Sequence, residues 1–361
     1  MSTIFVLLAL GVVNMYAALT LSVGTSLVVL AVSSVVLYST DFLHPVASSF
    51  LVLIMLSLHL PPGEQSLVFS GFQSPLLYFL VAVTGVGMAV SQSGLGRVFV
   101  QWLQKSMTRS RFPLPAILSL SFLPLSLILP SSVTRNAMLK PLIGEVVCAQ
   151  KGRVEATRVG LTLGIINALA SSALLTGGLA PMVSASILGG FSWSRWFVMM
   201  AFPYYSLMLV ALGYLLLRYR VPPTTTAAES TSASPQYVLR RKDWYILAVL
   251  MLMVGLWLTD RWHSLPTVVP AMLGFFLLLL GRHIEWKDIR QTGTWDTVMI
   301  LGTLLSVVDA MRRCGILDLL TERLSDMIPA LWPASLMILS IVLATVLINL
   351  LIPSITICLA L

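Results

Sequence analysis

Two short hydroxyl-bearing triplets, Ser132-Val133-Thr134 and Ser354-Ile355-Thr356, interrupt long apolar runs, and the first is followed at once by Arg135 and Asn136. A hydroxyl donates to a carboxylate or sulfate oxygen and accepts from a cation, so such triplets suit an anion carrier. Their alternative use is helix capping, where Ser and Thr are common. Arg135 is the most informative single residue, because a guanidinium at membrane depth costs about 3 kcal/mol or more without a partner or water. It can bind the anion or stand as a fixed positive charge, and its alternative is to snorkel to the surface near Lys151. A limb starting near Asn136 adds a helix N-terminus toward the same anion.

A third polar interruption runs from Ala170-Ser171-Ser172 through Thr176-Gly177-Gly178-Leu179-Ala180-Pro181. Its hydroxyls and carbonyls are the oxygen ligands a hard cation prefers, although small residues also serve close helix packing in membranes. The candidate substrate-binding residues are therefore Ser132, Thr134, Arg135, Asn136, Ser354 and Thr356. The candidate cation ligands are Ser132, Ser171, Ser172, Thr176, Gly177 and Gly178, with sodium as the expected ion. Lys140 and Asn167 rank below them. No Asp or Glu lies near the interruptions, which argues against a carboxylate proton relay there.

The elements that must hold these residues are membrane helices. Of the 361 residues, 57% are hydrophobic and only 10% charged, with a mean hydropathy of +0.93; ordinary globular chains carry about 25% charged residues. The apolar runs reach the roughly 20 residues that span a bilayer. The net charge of +8 sits in short clusters between these runs, which reads as membrane topology and excludes nucleic acid as a partner. Cys148, Cys314 and Cys358 match no metal or disulfide spacing, and the four histidines suggest neither metal nor catalysis. Intramembrane enzyme chemistry would need paired aspartates, a Ser with His or a metal motif at depth, and none is present. Asp309 with Arg312 or Arg313 reads as an ion pair near a helix end.

Helices are predicted near residues 4–20, 21–38, 45–60 and 75–91, with a break at Pro61-Pro62-Gly63-Glu64. An amphipathic surface helix follows over 94–111. The run 112–147 is broken at its middle, and such a break is tolerated at depth only in protein or at a wet cavity, as in a re-entrant hairpin. A broken helix at 156–190 and a full helix at 195–217 complete the first half. Residues 221–237, rich in Thr, Ser, Ala and Pro, form a linker. The second half repeats the order: helices near 243–259, 265–281 and 293–311, an amphipathic stretch at 315–328, and a run broken at Pro353 to Thr356. Ser132 lies 38 residues after Gly94, and Ser354 lies 39 after Gly315. Matched broken segments in two halves point to a transporter binding site, because discontinuous helices present free backbone groups to substrate and ion. Lys and Arg placement puts the N-terminus in the cytoplasm and makes the halves inverted.

This order of parts resembles the divalent anion/sodium symporter family, in which Trp-Asp-Thr followed by a glycine also occurs, as Trp295-Asp296-Thr297 and Gly302 do here. The likeness covers nearly the whole chain and implies an all-α, inverted-repeat, elevator-type transporter of the inner membrane, working as a homodimer in the lipid bilayer. It implies sodium-coupled symport of dicarboxylates, tricarboxylates or sulfate. The domains would be scaffold helices and surface helix of the first repeat (1–111), its transport part (112–217), a cytoplasmic linker (218–242), the second scaffold part (243–328) and a second hairpin (329–361). Val133 and Ile355 replace the asparagine at the centre of the family's Ser-Asn-Thr tips, and Gly177-Gly178-Leu179-Ala180-Pro181 replaces Gly-Thr-x-Pro-Asn. In the family the central Asn touches the substrate or helps bind sodium, so a fixed Arg135 could stand where relatives bind the ion. Leu361 follows soon after the second tip, so a C-terminally truncated chain is expected. The alternatives are a permease for arsenite or another oxyanion, and a non-transporting membrane scaffold or degenerate fragment.

Overall fold

The computed structural model describes residues 2–40, 43–109, 112–128, 132, 135, 136, 139, 153–189, 191–219, 238–290, 293–327, 333, 335–340, 342 and 343. Thr134, Ser354, Thr356 and the 221–237 linker lie outside the described residues. Among the described residues there are helices and no strands. Three helical stretches, Pro62–Ser91, Trp193–Arg218 and Thr294–Arg313, are long and apolar enough to cross a membrane, and several shorter apolar helices accompany them. The chain is an all-α polytopic membrane protein, and it divides into two compact units.

The first unit joins residues 1–77 to 293–361. Helices α1 (Ser2–Thr20), α2 (Val23–Ser39) and α3 (Pro45–His59) pack with α15 (Thr294–Arg313) and α16 (Ile316–Met327). Their core is built on Leu27, Leu30, Leu56, Val307 and Ala310. The stretch read as a break after Pro61 is instead a long 3-10 helix, Pro62–Gln73, laid along α15. Glycine makes that approach possible: a Cβ at Gly71 would fall on the backbone of Gly302, Leu305 and Ser306, and one at Gly302 would strike the Phe72 ring. Gly71 N–H donates to Ser306 Oγ at 3.0 Å, and the partner the structure gives Asp309 is the Ser70 hydroxyl at 3.1 Å. Gln65 donates to the carbonyls of Ser57 and Leu60, both at 3.0 Å, which satisfies the open C-terminal end of α3. Between α1, α2 and α3, Asn14 donates to Ser33 Oγ at 2.9 Å and lies 3.2 Å from His59 Nε2.

The second unit covers 78–292. It contains α4 (Pro75–Ser91, from Tyr78 on), the amphipathic α5 (Leu95–Arg109) and α6 (Leu114–Ile128). The broken helix is resolved into α7 (Arg153–Leu161), a π-helical turn (Thr162–Ile166), α8 (Asn167–Ser172), a 3-10 turn (Leu175–Gly177) and α9 (Leu179–Leu188). Then come α10 (Trp193–Arg218), α11 (Arg241–Leu258), the short α12 (Asp260–His263), α13 (Val268–Leu280) and α14 (Trp286–Arg290). The amphipathic pattern thus places α5 and α16 where the sequence expects them.

Asp260 ties the loop after α11 to the start of α10. Its Oδ2 accepts from Ser194 N–H at 3.0 Å, while Arg261 Nε donates to Ser194 Oγ at 3.3 Å. Burial raises the Asp260 pKa, but hydrogen bonds from Ser194, Ser192 and the Arg261 backbone outweigh it and hold the carboxyl below its ordinary value. A depressed folded pKa stabilises above the unfolded value, near 3.8, and the benefit is lost as pH falls through the folded one. Asp260→Asn is expected to cost about 1 kcal/mol at neutral pH. In thermal unfolding in detergent, the gap to wild type should close below about pH 4; a gap that stays constant into acid would show that the carboxylate charge contributes nothing.

Candidate functional site

The site is where Ser132, Arg135 and Asn136 meet the broken helix; the predicted hairpin that would carry them lies largely outside the described residues. The π turn widens the helix just before Asn167, whose N–H bonds back to Thr162 O; such turns recur at functional positions. Asn167 is the hub. It is fully buried, donates through Nδ2 to Ser132 O at 3.0 Å and to Asn136 Oδ1 at 2.8 Å, and accepts through Oδ1 from Arg135 Nε at 2.7 Å. The same guanidinium donates through Nη2 to Ser171 Oγ, and Ser171 Oγ donates to Asn167 O at 2.6 Å.

Arg135 is 0% exposed. The snorkelling alternative is thereby overturned: the guanidinium is turned inward between Asn167 and Ser171 rather than out to the surface. The helix stops being regular after Ser172. Leu174 N–H bonds to Ser171 O and Gly177 N–H to Leu174 O, both at 3.0 Å. Gly178 is fully extended at φ −174° before α9 begins, with Pro181 in that helix's first turn, where its missing N–H costs nothing. Two indoles from α10 close the break: Trp193 Nε1 donates to Thr176 Oγ1 at 3.1 Å and Trp196 Nε1 to Ser172 O at 3.2 Å.

The structure therefore brings together Ser132, Arg135, Asn136 and Ser171 through Asn167, and places Ser172, Thr176, Gly177 and Gly178 at the adjoining break. Thr134, Ser354 and Thr356 lie outside the described residues. Sequence reasoning ranked Asn167 low and missed Trp193 and Trp196. The only sequence signal for Asn167 was its place just before the Ala-Ser-Ser break. Oxygens named as cation ligands on Ser171 and Thr176, and the Ser172 carbonyl, already receive N–H donors. Ser132, Asn136, Ser172 and Gly178 are the half-buried members of the group.

A broken helix beside a buried arginine, in an all-α polytopic membrane protein, is the kind of arrangement that membrane transporter families build around their sites. The chain belongs to the citrate transporter family: the family model described as "Citrate transporter" matches residues 28–361. It is 25% identical to the citrate/succinate antiporter of Escherichia coli K12 over 269 residues, 69% of this chain and 55% of that protein. Dicarboxylate transporter 2.1, chloroplastic, of Arabidopsis thaliana is 23% identical over 75% of this chain and 52% of its own length. The L-tartrate/succinate antiporter of E. coli K12 is 23% identical over 76% of this chain and 60% of its own. The chain spans about half the length of the first of these relatives. The family and the relatives are transporters, not enzymes, and the resemblance drawn from the paired interruptions holds at that level.

Proposed function

We propose that the chain carries di- and tricarboxylates across the cytoplasmic membrane by exchanging one anion for another, with Arg135 as the site's fixed cation. The observation that carries this reading is the Arg135 guanidinium, fully buried and bonded to Asn167 and Ser171 of the broken helix. With no exposure it does not itself grip an anion arriving from water. It sets the potential beneath the half-buried Ser132, Asn136 and Ser172, where low dielectric strengthens its pull on a carboxylate.

A covalently held cation also decides the transport mode. A carrier that binds a mobile ion can release it and return empty. A guanidinium cannot leave, so the empty site keeps its charge, and carrying that charge through hydrocarbon is costly unless an anion sits over it. Loaded crossings are then favoured in both directions, which is exchange. The antiporter names of two relatives agree with this direction. Movement of the site as an elevator, in a homodimer, is part of the same proposal. Sodium-coupled symport of carboxylates or sulfate is the rival, with the ion among Ser132, Ser171, Ser172, Thr176, Gly177 and Gly178.

The test is counterflow in proteoliposomes. Vesicles loaded with succinate should take up labelled citrate or succinate at least about tenfold faster than empty vesicles, with or without a sodium gradient. Uptake into empty vesicles that requires inward sodium would replace exchange with symport. No uptake of any carboxylate would end the reading and leave sulfate or an oxyanion as substrate.

A further inference from the structure

In the second unit, three elements are pinned together at one end. The N–H of Gly94, just before α5, donates to Asp243 Oδ1 at 2.8 Å, while Oδ2 of the same fully buried carboxylate accepts from Arg240 N–H at 2.9 Å. Two residues on, Tyr245 donates to Leu277 O at 2.9 Å and its ring lies 4.7 Å from His283, which brings the end of α13 to the same place. The start of the amphipathic α5, the start of α11 and the turn after α13 thus share one corner.

That corner is basic. Arg97, Arg240, Arg241, Lys242 and Arg282 are all exposed there. The carboxylates beside them are fewer: Asp243, buried, which accepts from Gly94 and Arg240 N–H; Glu285, paired with Lys287 at 2.6 Å; and Asp288, which accepts from Glu285 N–H at 3.3 Å. The same elements carry exposed indoles. Trp102 on α5, Trp244 in the first turn of α11 and Trp286 on α14 are 50%, 58% and 47% exposed. Exposed Trp collects at the headgroup level of a bilayer, and a basic amphipathic helix lies in that plane. Cations between helix ends at this depth meet phosphate headgroups, and the positive-inside rule puts them in the anionic cytoplasmic leaflet.

We propose that this corner is a binding site for an anionic phospholipid, whose phosphate is held by Arg240, Arg241, Lys242 and Arg282 while its acyl chains lie against the helices beneath Trp244 and Trp286. The indoles select a lipid over a soluble phosphate, because they place the cations at the membrane plane rather than in water. Asp243 builds the site by fixing where the basic ends of α5 and α11 meet.

The test is thermal unfolding of the delipidated chain in neutral detergent, titrated with phosphatidylglycerol, phosphatidylcholine or glycerol phosphate. Phosphatidylglycerol should raise the unfolding temperature saturably, and phosphatidylcholine should not. In the triple variant Arg240→Gln, Arg241→Gln, Lys242→Gln, half-saturation should need at least about tenfold more lipid, since each basic residue near an anionic surface is worth about 1 kcal/mol. Arg282→Gln, which leaves the start of α11 intact, should show a smaller shift the same way and serves if the triple variant does not fold. Arg312→Gln with Arg313→Gln, exposed in the first unit, should bind like wild type. Equal protection by phosphatidylcholine, an unshifted titration in both corner variants, or the same protection by glycerol phosphate would each overturn the proposal.

Discussion

Replacing Arg135 with alanine is expected to weaken carboxylate binding by a factor of roughly 30, as a unit charge about 8 Å beneath the anion contributes about 2 kcal/mol at an effective dielectric near 20. Two losses combine. The site loses its fixed positive charge, and Asn167 Oδ1 and Ser171 Oγ lose the donor that satisfies them. The second loss alone removes about 1–3 kcal/mol of stability, and it frees Asn167, which also holds Ser132 O and Asn136 Oδ1. Arg135→Lys separates the two effects. An ammonium keeps the charge but lacks the planar fork that reaches Asn167 and Ser171 together, so it should retain partial exchange with weakened substrate affinity. Arg135→Ala should in addition relax the preference for loaded vesicles, since the empty site would no longer hold a charge in hydrocarbon. Substrate titrations by thermal shift, beside counterflow rates, check this. If both variants melt early yet bind citrate like wild type, Arg135 is structural and the exchange argument falls.

Much of the architecture was legible because membrane helices announce themselves by length and apolarity. The amphipathic α5 and α16, the apolar α2, α3 and α10, and the break at 173–178 all lie where the sequence places them. The 3-10 helix Pro62–Gln73 was not, for a physical reason. Its residues carry no helical period and begin with helix breakers. They are ordered by a partner far along the chain, through Gly71 against the backbone at Gly302 and Ser306. Asn167 was likewise hidden. A lone asparagine in an apolar run gives no signal, and its importance comes from a π turn, which depends on how the neighbouring helix ends pack. Arg135 was found from sequence because its desolvation is costly anywhere in a membrane, but which way it turns was a tertiary question, answered by Asn167 and Ser171. Asp243 was passed over for the same reason: its function is to receive Gly94, a residue from the other half.

Of the adjacent glycines of the break, Gly177 should suffer from alanine and Gly178 should not. A Cβ at Gly177 would fall on Ser171 O and lie 2.6 and 2.9 Å from Ser171 C and Cα. These are backbone atoms at the end of α8, so relief requires the helix end itself to move, and Ser171 Oγ accepts from Arg135. Overpacking of this kind costs about 1–3 kcal/mol, and displacement of Ser171 should carry into substrate binding as a loss of about tenfold or more. At Gly178 a Cβ would meet only Pro181 Cδ at 3.9 Å, an ordinary contact. Its φ of −174° is extended backbone that alanine adopts freely, so Gly178→Ala should stay within about 0.5 kcal/mol of wild type. Measured side by side, unfolding temperature and citrate affinity should fall together in Gly177→Ala and hold in Gly178→Ala. If instead Gly177→Ala is destabilised but binds citrate normally, the break is a packing joint and Ser171 does not position the cation. If both variants are silent, the helix ends at the break move independently of the site, and the coupling drawn here between the broken helix and Arg135 is wrong.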